Sequence, residues 1–202
     1  MGVPLCEHCA RALVRLAPPL CERCGAPGPW PVRRCAECAG RRLAFASAHA
    51  AIAYDGSGRH LVRAWKEGAR RDLAASGAGL VASVVSRPVS ATLTFVPGDR
   101  ERRRKRGHVP AQRLAEELGR LWDLPVEPLL RRTRLVQPQR GLSLAERRSN
   151  VRGAFAAEFS PAAVWLVDDV YTTGATANAC ASALRRAGAR RVDVVCLARA
   201  LR

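Results

Sequence analysis

The sequence predicts an α/β protein, a mainly parallel sheet flanked by helices, with a small Cys-rich module at its N-terminus. Three observations predict it. From Ser47 onward, short apolar runs alternate with stretches of helical spacing, the pattern of βα units in a parallel sheet. Before that point, residues 1–45 are rich in Cys, Pro and Arg and hold no sustained period of either kind. Late in the chain, the run "AVWLVD" ends in two adjacent aspartates followed by threonines around one glycine. The division expected from these is a module over 1–45 and an α/β domain over 46–202.

Taken in order, "AHAAIAY" reads as the first strand and "GRHLVRAWKEG" as a short helix. "DLAASGAGLVASVV" is apolar and Gly-containing, a helix packed closely against its neighbours. "ATLTFVP" is a buried strand stopped by Pro97. Ala111, Leu114, Ala115, Leu118, Leu121 and Trp122 recur at helical spacing and predict an amphipathic helix. Residues 131–160 are polar and Arg-rich, with a short helix at "SLAERRSN" where Ser143 and Glu146 form a capping box. "AVWLVD" is a strand, "TANACASALRRAG" a helix closed by Gly188 with Ala177, Cys180, Ala181 and Leu184 on one face, and "RVDVVCLA" the last strand. Cys180 and Cys196 fall on apolar faces and read as core residues.

Hydrophobic residues make up 48% of the 202, enough for a core, while aromatics at 5% leave Ala, Leu and Val to fill it. The formal net charge is +17, and all but Lys66 and Lys105 of the 34 basic residues are arginine. Arginine forks match phosphate geometry, so the charge favours a polyanionic ligand or partner, although a GC-rich coding sequence would also raise Arg and Ala together. No apolar stretch is long enough to span a bilayer, so no membrane insertion is expected. The start "MGVPLCEHCARAL" does not have the pattern of a secretory signal. With C-x-x-C pairs and no export signal, the reading is metal ligation in a cytoplasmic protein.

Cys21-x-x-Cys24 and Cys35-x-x-Cys38, ten residues apart, suit a four-cysteine zinc knuckle in which two short hairpins offer four thiolates to one ion. Four thiolates fill the shell of the ion, so its role is structural. Cys6 and Cys9 form a third pair. They stand as further metal ligands, as free or redox-active thiols, or as part of a different pairing.

Asp168 and Asp169 fall at the carboxyl end of a parallel strand, where α/β folds bind ligands. Thr172, Thr173, Gly174, Ala175 and Thr176 lead into the next helix, whose free N–H groups and partial positive charge suit a phosphate. Gly174 allows close backbone approach and the hydroxyls add donors. Loop and carboxylates together would grip a phosphorylated sugar. The chain has no G-x-x-x-x-G-K-[ST] and no G-x-G-x-x-G, which excludes a P-loop NTPase and a dinucleotide fingerprint.

"VWLVDDVYTTGAT" resembles the motif by which type I phosphoribosyltransferases bind phosphoribosyl pyrophosphate (PRPP). The whole chain is similar to one branch, the ComF family linked to competence and DNA uptake, in its N-terminal C-x-x-C region, "RRDLA", "FVP...RRRKRGH", "QPQRGLSLAERRSNVRGAF" and the threonine loop. The resemblance implies a type I phosphoribosyltransferase fold. It implies that Asp168 and Asp169 meet the ribose hydroxyls at the catalytic position and that 172–176 hold the terminal phosphate. It implies Mg²⁺ bound with PRPP, pyrophosphate as leaving group and an acceptor that the sequence does not name. Lys66 matches a family lysine and is expected at a phosphate or snorkelling from its helix end. Arg102, Arg103 and Arg106, within a run that also holds Arg100, Arg104 and Lys105, are expected to contact pyrophosphate, DNA or solvent. ComF-like sequences commonly read R-G-F-N-Q where this chain has Arg106-Gly107-His108-Val109-Pro110, and His108 replaces that polar pair as a donor or sits in a turn. Gln139, Arg147, Arg148 and Asn150 are expected in a flap over the site or in a plain solvated connection. In many relatives a further Cys pair precedes the one matching Cys6 and Cys9 and completes another zinc site; that leading pair is absent here. The alternative to an enzyme is a PRPP-sensing or single-stranded-DNA-binding protein, with competence proteins as further partners.

Overall fold

The computed structural model describes residues 5–67, 70, 72–99, 104, 107–133 and 153–201. The expected helix at "SLAERRSN" with its Ser143–Glu146 box lies outside these residues, as do Arg100, Arg102, Arg103, Lys105, Arg106, Gln139, Arg147, Arg148 and Asn150.

Four parallel strands form the central sheet. They are β1 (Ala48–Ala53), β2 (Thr92–Phe95), β5 (Ala163–Tyr171) and β6 (Arg191–Arg199), in the order β1-β6-β5-β2. β5 and β6 are nine residues each and occupy the centre. β6 is buried at every position but its first, as a strand covered on both faces requires. Both outer edges are covered: Leu16 N–H donates to Ala51 O (2.9 Å) beside β1, and Leu93 N–H to Pro125 O (2.8 Å) beside β2.

Helices close both faces. α2 (Gly56–Glu67), α3 (Leu73–Ala82) and α4 (Pro110–Trp122) cover one, burying Val62, Trp65, Val81, Leu114 and Leu118 against Leu93, Val167, Val195 and Leu197. α5 (Ala175–Arg186) covers the other, with the predicted face of Ala177, Cys180, Ala181 and Leu184 turned inward. The Cys-rich segment packs on this same face: Cys21, Cys24, Cys38, Leu43 and Phe45 share a core with Val164, Leu166, Val194 and Cys196. Cys180 and Cys196 are fully buried, as expected.

Three local readings need correction. The N-terminal segment, read as holding no sustained period, nonetheless contains α1 (Glu7–Arg11), five residues with Cys6 accepting from Cys9 N–H at 3.5 Å as its cap; one turn is too short to leave a period. Leu121, placed on the buried stripe of α4, is 57% exposed. Trp122, predicted on the same stripe, does close the core, edge-on to Trp165 at 5.9 Å, and the helix ends where the chain turns at Asp123 (φ 49°). Within 131–160, β3 (Arg131–Arg132) and β4 (Phe155–Ala156) pair antiparallel. Two-residue strands carry no alternation to read.

Candidate functional site

The carboxyl ends of β5 and β6 bring the acidic pair, the threonine loop and the Cys segment to one end of the sheet. Along β5, side chains alternate between faces. Asp169 meets Lys66 from the end of α2, with Nζ 2.6 Å from Oδ1 and both side chains about one-fifth exposed (21% and 18%). The Lys66 ammonium is therefore held inside the site rather than snorkelling outward. Asp168 turns toward α5, near Cys180, whose thiol is pushed well up by burial and further by the Asp168 charge. Its Oδ1 accepts from Asp169 N–H at 2.8 Å.

Burial and the charge of Asp169 push the Asp168 carboxyl up to about 7, against the opposing pull of Lys66, the Asp169 amide and Arg132. Arg132 was not singled out in the sequence; the fold brings it in from β3, where its Nε donates to Pro97 O (2.9 Å) and its guanidinium lies 5.1 Å from the Phe155 ring. Only its place in an Arg-rich run could have flagged it.

After Tyr171 the chain turns through Thr172, Thr173 and Gly174 into α5. Gly174 has φ +70°, and a Cβ there would collide with the Tyr171 hydroxyl beneath it, so only glycine fits. Thr173 is 3% exposed and its hydroxyl accepts from Ala175 N–H (3.1 Å), which secures the start of the helix instead of pointing outward. Thr172 and Thr176 are half-buried. The loop is also held from the Cys segment: Arg41 donates to Thr173 O (2.9 Å), and Ala44 N–H to Asn178 Oδ1 (2.7 Å).

Of the basic run, Arg104 is exposed, and Gly98 and Val109 on either side of the run come together so closely that a Cβ on Gly98 would lie 2.9 Å from the Val109 side chain. His108 is 6% exposed, a buried residue at the start of α4.

The four-cysteine prediction is met by geometry. The sulfurs of Cys21, Cys24, Cys35 and Cys38 all lie within 4.8 Å of one another, the one such group of possible ligands among the described residues. Nearest separations are 3.4 Å (Cys24–Cys35), 3.7 Å (Cys21–Cys38) and 3.9 Å (Cys35–Cys38). A tetrahedron of Zn–S bonds about 2.3 Å long has edges of roughly 3.8 Å. The residues fit the ion. Burial opposes ionisation of Cys21, yet hydrogen bonds from the Cys24, Cys35 and Arg23 amides and the Cys38 thiol bring it down to about 7, whereas burial holds the Cys24 and Cys38 thiols up. Cys6 and Cys9 stand apart and exposed, bordering a separate cavity of about 540 Å³ with His60 and Leu61. No helix among the described residues is long and apolar enough to cross a membrane.

No family model matches the chain. The DNA utilization protein YhgH of Salmonella typhi is 32% identical over 98% of this chain and 91% of its own length. Competence protein F of Haemophilus influenzae is 39% identical, over 48% of this chain and 44% of that protein. A solved protein of Thermus thermophilus aligns with TM-score 0.33 and 20% identity over 63% of this chain and 82% of its own, too loose a likeness to decide the fold.

Proposed function

From the premise that the chain belongs to the ComF family, that of competence protein F and the DNA utilization protein YhgH, we propose that it binds PRPP with Mg²⁺ and transfers the phosphoribosyl group, in the setting of DNA uptake. The observation that carries this reading is the geometry at the end of β5. An ionisable carboxylate, an acid–lysine pair and a glycine-centred helix entry follow one another at the end of a single strand.

In this reading the amides of 172–176 and the start of α5 hold the terminal phosphate. Asp168, when ionised, accepts hydrogen bonds from the ribose hydroxyls, and Lys66 releases Asp169 to do the same while turning its own charge to a phosphate. The hard oxygens of Asp168 and Asp169 suit Mg²⁺, which when bound neutralises charge on the departing pyrophosphate. Arg132 lies where it adds positive charge on the Asp168 side. Arg102, Arg103 and Arg106 are assigned to the leaving group. The protein's share of catalysis is position and electrostatics. Zinc in the four-cysteine site is structural.

Calorimetric titration with PRPP and Mg²⁺ tests this. The wild type should release or absorb heat with one site per chain, and Asp168→Ala and Gly174→Ala should each weaken binding by about a hundredfold or more, the removal of a charged partner and of a close approach. Unaltered affinity in both variants would end the reading. A screen of amines and bases for PRPP-dependent pyrophosphate release then finds the acceptor.

A second reading, single-stranded DNA binding, is favoured by a cleft of about 440 Å³ between Gly40–Leu43 and α5, lined by Arg41, Arg42 and Arg186 with no carboxylate in its wall among the described residues. Affinity that falls steeply with salt supports it; weak, salt-insensitive binding removes it.

A further inference from the structure

Arg199 closes β6 and is 1% exposed, the one charged residue among the largest fully buried side chains of the described residues. A guanidinium so placed is tolerable only if its surroundings neutralise and hydrogen-bond it. Its Nη1 donates to Cys24 O (2.5 Å), and its Nη2 donates to Glu37 Oε2 (2.8 Å) and approaches Cys24 Sγ (3.7 Å). Its central carbon lies over the ring of Tyr171, 4.6 Å from the centroid, because β5 and β6 place Tyr171 and Arg199 in register. Cys24 is one of the four clustered cysteines, and Glu37 directly precedes Cys38. The far end of the Tyr171 ring is the hydroxyl that lies beneath Gly174. An unbroken run of contacts thus leads from the sulfur cluster through one guanidinium and one phenol ring to the floor of the threonine loop.

A second strut runs beside it. Arg41, three residues after Cys38, donates to Glu37 O (3.3 Å) on the cluster side and to Thr173 O (2.9 Å) on the loop side.

We infer that Arg199 is a positioning residue that couples metal occupancy of the four-cysteine site to the order of loop 172–176. The physical reason is charge and anchorage together. A zinc ion with four thiolates carries a net double negative charge, and a buried cation touching one ligand residue offsets it, as outer-shell partners do at metal sites. In return the ion fixes Cys24 and the Cys35–Cys38 turn, which fixes the carbonyl and carboxylate that hold the guanidinium over Tyr171. Without the ion, the two hairpins lose their common anchor, Arg199 loses its fixed acceptors, and Tyr171 is released under Gly174. The coupling does not depend on what the loop binds. Its consequence for PRPP does rest on the function proposed above.

Hydrogen exchange read by mass spectrometry on the full chain tests the coupling. In chelator-stripped wild type, amides of 172–178 should exchange about tenfold faster than in the zinc-loaded protein, within the usual range of coupling between sites, while α4 on the opposite face stays protected. Zinc-loaded Arg199→Met should show the same local acceleration and lose zinc to a chromogenic chelator faster, and Arg199→Lys should restore part of both. Arg41→Met, whose side chain is only half-buried, supplies the loop-side control should Arg199→Met fail to fold. An unchanged 172–178 segment in stripped protein, or an Arg199→Met protein with wild-type loop exchange and zinc retention, overturns the inference. If stripping unfolds the whole chain, the zinc-loaded variants decide. PRPP titration separates the two readings. Coupled exchange with no PRPP heat refutes the ligand and leaves the coupling; PRPP heat without coupled exchange does the reverse. Where both hold, linkage requires PRPP to tighten zinc retention by the same factor that zinc tightens PRPP.

Discussion

The two faces of the sheet are closed by different physics. Over one, α2, α3 and α4 bury large apolar side chains, among them Trp65, Leu80, Leu114 and Leu118. Over the other, α5 contributes mostly alanines and Cys180, and the remaining cover is the Cys segment, tied down by Arg23 to Leu43 O (2.6 Å) and Ala46 O (3.0 Å), by Arg41 to Thr173, and by Arg199 to Glu37. The first face is held by non-directional burial. The second buries smaller side chains, with Phe45 and Tyr171 the large exceptions, and adds directed bonds to that burial, and the candidate loop stands on it. What the difference teaches is that both faces are packed, and that this fold adds its polar joinery on the face that carries the candidate loop.

The largest effect should come from breaking the polar face at its metal. Cys38→Ser, at a fully buried ligand position, should abolish zinc binding and lower stability by on the order of 5 kcal/mol or prevent folding, since a structural zinc site contributes its binding energy to the fold. Thermal melting with and without chelator measures it. A wild-type melt indifferent to chelation would mean that the Cys segment holds together without an ion.

Next comes the apolar face. Leu114→Ala should destabilise by about 2–5 kcal/mol in urea unfolding, the transfer and cavity terms for a fully buried leucine. PRPP affinity of the folded fraction should stay within about twofold, because Leu114 lies across the sheet from the loop and distant sites act nearly independently. Affinity that drops in step with stability would show that the faces are not separable.

The same contrast explains what the sequence could reveal. On the apolar face α4 was legible because burial writes a period, and β1, α2, α3 and β2 stand where their apolar runs and the breakers around them put them. The acidic pair, the glycine entry to α5 and the four cysteines were legible as residue types at set spacings. The polar joinery was not. Nothing in "CLARALR" distinguishes Arg199 from Arg202, and Arg132 lies in a run where every arginine looks alike. Both acquire their roles from strand register and from segments far away in sequence, which local pattern does not encode. Nor does local pattern tell that adjacent aspartates take different partners, Lys66 for one and the surroundings of Cys180 for the other.

The smallest expected effect is a pH dependence, and it sharpens the comparison because it opposes fold to site. The Asp168 carboxyl is raised to about 7 by burial and then by Asp169, whereas in an unfolded chain it would titrate near about 3.9. Between those values the folded protein keeps a proton that the unfolded chain gives up. Stability from this group therefore declines as pH rises through that window and stays low above it. Asp168→Asn, which has no charge to bury, should melt higher than wild type at pH 8 by a few degrees, with the gap shrinking steadily toward pH 4. A gap that is the same at pH 5 and pH 8 would refute the raised carboxyl. Ligand binding should run the other way. Ribose hydroxyls and Mg²⁺ call for the ionised acid, so PRPP affinity should weaken as pH falls below about 7 in wild type, and this Asp168-dependent part should be missing from the already weakened Asn variant. Opposite slopes from one side chain would mark Asp168 as a residue kept for its ligand at the expense of the fold.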